Sequence, residues 1–161
     1  MQFIKHQILD LDDIVYTMIP SANFRSEDIL QAIGLLISNT KQCGNSTRMR
    51  YLIEISPDRS HTLIGVSDSI QNNSASARLW YQKKVHLENA VKTRYEGSFA
   101  KVSNGISKLS EYLREQNLKP ATAFYTVVHT HIRTEEEIQN SISDIYIGID
   151  KNVVLSQYYK T

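Results

Sequence analysis

Among its 161 residues the chain has one cysteine, Cys43, one tryptophan, three prolines and six glycines. A single thiol cannot close an intrachain disulfide or supply a cysteine-based zinc site. Excess charge of one sign is also missing: 18 Lys and Arg against 17 Asp and Glu leave a formal net charge of +1. Broad attraction to nucleic acid or anionic membranes needs several clustered phosphate contacts, and Lys83-Lys84 is too short a basic run to supply them, so neither partner is expected. No apolar run approaches the roughly 20 residues needed to span a bilayer. The opening Met1-Gln-Phe-Ile-Lys-His-Gln-Ile-Leu-Asp, followed by Asp12 and Asp13, lacks the apolar core of a signal peptide, which points to the cytoplasm. There is no Gly-x-Ser-x-Gly elbow, no phosphate-binding glycine loop and no Cys beside a predicted His partner. No cofactor is expected, and the chain offers no catalytic residue held by a second group.

What is present is a soluble composition, 41% hydrophobic and 22% charged, in one domain long enough to bury about two thirds of its unfolded surface. The helices carry the plainest signal. Phe99, Val102, Ile106, Leu109 and Leu113 recur at steps of three and four, leaving Lys101, Lys108, Glu111 and Arg114 for water. Ser98 can cap the start, and Asn117 and Pro120 mark the stop. An earlier helix begins at Ser26, with Glu27 and Asp28 in its first turn where negative charge suits the dipole, and carries the stripe Ile29, Ile33, Leu36 and Ile37.

Strands flank both helices. Met49, Tyr51, Ile53 and Ile55 share one face and Arg50, Leu52 and Glu54 the other; Ser143, Ile145, Ile147 and Ile149 oppose Asp144, Tyr146 and Gly148. The order strand, helix, strand, strand thus occurs twice, over about 8–66 and 79–150, with the patternless polar stretch 67–77 as linker. The fold class expected is α+β: duplicated units with approximate twofold symmetry, forming an antiparallel sheet with both long helices on its outer side. A cleft between the units is then lined by the face bearing Glu54, Asp144 and Tyr146.

The second half resembles the GyrI-like small-molecule-binding domain, the effector-binding domain of bacterial multidrug-sensing transcription regulators, here in a stand-alone form. The resemblance rests on Tyr95-Glu96-Gly97-Ser98-Phe99, the helix to Leu113, Leu118-Lys119-Pro120, and Asp144-Ile145-Tyr146-Ile147-Gly148-Ile149, in that order. It departs in having Asp144 where that family has Glu, and Gly148 where Pro is common. The resemblance implies an aromatic-lined pocket at the junction of two units and an acidic residue that meets a cationic ligand.

The candidate ligand-binding residues are therefore Asp144 and Tyr146, with Tyr95, Tyr51, Glu54, Trp80 and Tyr125. Aromatic rings give large apolar contact and faces that attract cations. His129 and His131, two apart on a predicted strand, share a face, but no third ligand accompanies them and no metal is expected. The reading placed first is non-enzymatic binding of a small hydrophobic or cationic aromatic molecule, by a monomer or homodimer. A protein-interaction adaptor, with a protein partner at a sheet edge or cleft, is second. A hydrolase acting on small electrophiles, with Glu54 or Asp144 activating water, is third.

Overall fold

The computed structural model describes residues 1–19, 24–43, 49–72 and 78–150. Its elements run β1 (Phe3–Met18), α1 (Ser26–Asn39), β2 (Thr40–Gln42), β3 (Tyr51–Ile55), β4 (Thr62–Val66), β5 (Ser69–Gln71), β6 (Leu79–Glu96), α2 (Val102–Glu115), β7 (Pro120–Val128), α3 (Glu135–Gln139) and β8 (Ile142–Ile149). Six of the strands close into a barrel in the order β1-β4-β3-β7-β8-β6, while β2 and β5 pair separately. All the pairings are antiparallel. The chain is thus an α+β protein built around a large antiparallel sheet. Among the described residues no helix is long and apolar enough to cross a membrane.

The helices begin where local chemistry lets them. Asp28 accepts a hydrogen bond from the Arg25 backbone N–H at 2.7 Å ahead of α1, and Ser98 Oγ accepts from Ala100 N at 3.3 Å. A short 3-10 turn, Phe99–Lys101, then leads into α2. Both helices lie on the outer surface of the barrel, in one core with the outward-facing strand residues Val15, Ile53, Ile64, Val91, Ile145 and Ile147. Phe99, Val102, Ile106, Leu109 and Leu113 are all buried there, as the periodicity predicts. On α1 the stripe is rotated from the one expected: Ile29, Ala32, Ile33 and Leu36 are buried, whereas Ile37 turns to solvent.

A second apolar cluster fills the inside of the barrel, with Leu9, Leu11, Ile14, Tyr16, Leu52, Val85, Leu87, Tyr125 and Val127. Strand alternation sorts residues between the two cores, and β1 shows how it can be reset. Leu9 and Leu11 are buried while Asp10 and Asp12 are exposed; beyond Asp13, which has φ of 49°, Ile14, Val15, Tyr16 and Thr17 are all buried. Asp13 tolerates this left-handed backbone because its short polar side chain can bond locally.

Two expectations are corrected. The face expected to line an open cleft is instead turned into a closed barrel, because β1 and β6 pair along most of their length and β3 pairs β7. Part of the presumed linker is ordered strand: Ser69–Gln71 forms β5 against Thr40–Gln42. A three-residue polar strand leaves no period to read. Residues 73–77 of that stretch lie outside the described residues.

Leu109→Ala is expected to cost about 2–5 kcal/mol, as removal of a fully buried side chain, and exposed Lys108→Ala no more than roughly 0.5 kcal/mol. Equilibrium urea unfolding of the two variants checks the placement of the buried face of α2.

Candidate functional site

The inside of a barrel is where a polar group costs most, and this one contains a carboxylic acid. Glu54 lies on β3 between Ile53 and Ile55, which face the helices, so alternation turns it inward with Leu52. Register sets Tyr125 of β7 directly opposite it, with Leu63 of β4 on its other side. Tyr146 of β8 follows next to Tyr125. Tyr16 reaches the same place from β1. Its ring lies over Gly65, where a Cβ would come within 2.7 Å of Tyr16 Cδ1; only a glycine leaves that space.

The electrostatics follow from this enclosure. Burial pushes the Glu54 carboxyl above its usual range, and the neighbouring Tyr16 and Tyr125 hydroxyls and the His61 charge recover only part of the shift. Burial also drives the Tyr16 phenol well up, helped by the Glu54 charge. Tyr16 Oη and Glu54 Oε1 are nevertheless both enclosed without a hydrogen bond of normal geometry. The Tyr16 phenol lies close enough to favour the ionised acid but is not aligned on its Oε1. Such unsatisfied buried groups each cost about 1–3 kcal/mol. The result is an acidic group with aromatic neighbours and no cationic side chain bonded to it among the described residues.

Asp144 has a different fate. It is buried, yet Arg94 donates to it from Nε at 3.1 Å and from Nη2 at 3.4 Å, and His129 Nε2 lies 2.6 Å from its Oδ2. Burial alone would raise its pKa, but the hydrogen bonds and charges of Arg94 and His129 together hold it below the ordinary carboxylate value. The acid singled out from the sequence is therefore already neutralised from within the chain. His129, considered only as a metal ligand in the sequence, is one of its two partners; no group of three or more candidate metal ligands occurs among the described residues.

The predicted aromatic wall divides. Tyr125 and Tyr146 stand with Glu54 at the interior. Tyr51 and Tyr95 do not. Tyr51 shares the outward face of Ile53 and Ile55 and lies against His131 with ring centroids 5.5 Å apart. Tyr95 packs on the helix side, where a Cβ at Gly105 of α2 would come within 2.8 Å of its ring. The period of two carries both outward with their strand neighbours, so the expectation that they share a cleft with Asp144 fails. Trp80 is 45% exposed and borders a surface groove with Met18, Ala32 and Leu35 instead. Tyr16 was missed, because it sits in a run buried on both faces where alternation carries no signal.

Two opposite pH dependences are expected. The Asp144 pKa is depressed in the folded chain, so its contribution is present above the unfolded carboxylate pKa and is lost as pH falls through the folded value. Asp144→Asn should cost about 1.5–3 kcal/mol at pH 7, with the deficit shrinking in acid. The Glu54 pKa is raised, so its charged form weighs against folding at high pH and not at low pH. Glu54→Gln should raise the melting temperature at pH 8, with the gain disappearing at lower pH. Thermal unfolding of both variants across pH reads both signs.

No protein-family model matches the sequence, and no curated protein matches it. Solved structures do match in fold. The crystal structure of the EcmrR C-terminal domain superposes with a TM-score of 0.64 at 11% identity, over 94% of this chain and 99% of that domain. In the cryo-EM structure of an EcmrR-DNA complex the TM-score is 0.61 at 10% identity, over 92% of this chain, which spans 58% of that longer one. The structure of SAV2435 bound to tetraphenylphosphonium matches less well, with a TM-score of 0.49 at 14% identity over 94% and 95% of the two chains. A barrel of this strand order with α1 and α2 on its outer surface, matched along nearly the whole EcmrR C-terminal domain, gives this chain the GyrI-like fold.

Proposed function

We propose that this chain is a non-enzymatic binder of a small lipophilic cation, held inside the barrel with its charge against Glu54 and its apolar groups against Tyr16, Tyr125 and Tyr146. The observation that carries this reading is the enclosed Glu54 Oε1 beside the enclosed Tyr16 Oη, both without hydrogen-bond partners. A carboxylate in that setting is costly alone and stabilised by a desolvated cation. Aromatic faces favour the same ligand. Asp144, tied to Arg94 and His129, takes no direct part.

The cavity in this reading is the junction of two strand-helix-strand-strand units, 8–66 and 79–150. Supporting it, α1 follows β1 as α2 follows β6, and the pairings β1·β4 and β3·β4 have counterparts in β6·β8 and β7·β8. The units meet through β1·β6 and β3·β7. Glu54 and Tyr125 then face each other across the junction. Leu52 and Val127 occupy the interior, so the ligand is admitted by their repacking.

An adaptor role has one observation in its favour. Met18 and Trp80 are exposed large apolar side chains, and they border a groove of about 510 Å³ outside the barrel.

Tetraphenylphosphonium is a suitable probe because its charge does not depend on pH. Calorimetry should show saturable binding that Glu54→Gln weakens by about 1.5–3 kcal/mol, the range for interactions with a charged group, while a neutral triaryl compound is little affected. Because the Glu54 pKa is raised, affinity for the cation should fall as pH drops through it. Equal affinity in the parent and the Gln variant would overturn the role of Glu54. Loss of binding on Trp80→Ala alone would move the site to the outer groove.

A further inference from the structure

A separate cluster of side chains lies at the end of the barrel where β3 starts and β7 stops. There Arg50, His129 and His131 surround a half-open cavity of about 460 Å³, whose apolar part is formed by Met49, Tyr51 and Val128. Among the described residues no carboxylate lines it. Two acids that act on its lining residues are already occupied: Asp144 by Arg94 and His129, and Glu137 by the backbone N–H groups of Arg133 and Thr134 at 2.9 and 3.0 Å. Glu137 and Arg133 act on the Tyr51 phenol with opposite signs. The Arg50 backbone is anchored, its N–H donating to Ser67 Oγ at 3.0 Å. Its guanidinium has no hydrogen bond or ion pair among the described residues.

We propose that this cavity binds an organic carboxylate, the carboxylate lying on the guanidinium of Arg50 beside His129 and the organic body against Tyr51, Met49 and Val128. A guanidinium presents five N–H donors in a planar fork that matches a carboxylate in two-point fashion. An unused fork beside imidazoles and an apolar wall selects an anion with a hydrophobic body over a bare inorganic one. His129 serves as a hinge of the arrangement. Its Nε2 is committed to Asp144, which fixes the ring and leaves Nδ1 to accept from a water that bridges to the ligand carboxylate. A net charge of only +1 for the whole chain makes the Arg50 charge beside two imidazoles a feature of the site and not of the surface at large. The site lies off the start of β3 and Glu54 near its far end: Arg50 immediately precedes the strand, four residues or roughly 13 Å from Glu54, although its charge also acts on the Tyr146 phenol. It does not depend on the cation-binding reading.

Benzoate is the probe, with benzamide as its uncharged counterpart, followed through the imidazole C2–H resonances at fixed physiological ionic strength. Benzoate should move the His129 and His131 resonances saturably at millimolar concentration and leave those of His6, His61 and His86 in place. Arg50→Gln should weaken this by about tenfold or more, the loss of one charge-assisted contact, and Arg50→Lys should restore only part of it, since Lys lacks the fork. Glu54→Gln should leave benzoate binding unchanged, which separates this result from the fate of the interior site. Equal shifts with benzamide, or equal affinity for Arg50→Gln and the parent, would overturn the site. Sulfate binding as tightly as benzoate would overturn the assignment of an organic body.

Discussion

The pairing of β1 with β6 is the constraint on which the rest of this molecule depends. These are its two longest strands, 16 and 18 residues, and each also pairs at one end with a strand that follows its own helix, β4 or β8. Remove that central pairing and the sheet opens into a curved layer with water on its concave side. With it, the sheet gains an inside, and every residue on that face exchanges solvent for side chains. The high cost of the Glu54 charge, the raised Tyr16 phenol and the burial of Leu52 and Val127 all follow from closure.

Two carboxylates on the inward face then meet opposite circumstances. Asp144 stands near the barrel end, where a half-exposed Arg94 can reach it from the neighbouring strand and His129 from the next. Glu54 stands between strands whose facing residues are Leu63 and Tyr125. A long cationic side chain can keep its stem on the barrel end and its head near water. Asp144 therefore contributes to stability, and the charged form of Glu54 weighs against it. The partners within reach, Arg94 and His129 at Asp144, separate their roles more than the difference of one methylene between Asp and Glu.

Much of this architecture was legible in the order of residues. The stripe Phe99 to Leu113 repeats at the helical period and is buried as read. The alternation of β3 and β8 divided their residues correctly between two faces, because a strand's period of two needs no knowledge of its partners. The same rule, applied to Tyr51, already set it with Ile53 and Ile55 rather than with Glu54. Tyr16 was illegible, since Ile14, Val15, Tyr16 and Thr17 are all buried, and a run buried on both faces has no alternation. The strand β5 was equally hidden, being three polar residues held by pairing to a distant segment.

The sequence by itself determined which residues form the two long helices, which face of strands such as β3 and β8 is apolar, and that Glu54, Asp144 and Tyr146 occupy the other face. These are local properties, set by propensity and periodicity within a few residues. Only the tertiary structure decided that this face is enclosed, that Arg94 and His129 neutralise Asp144, that Gly65 makes room for the Tyr16 ring, and that Glu54 is the acid left over. Each of those depends on contacts between different segments, from His129 with Asp144, 15 residues apart, to Arg94 with Asp144, 50 apart. Register between distant strands is fixed by the sum of all their contacts, so no single stretch of sequence carries it.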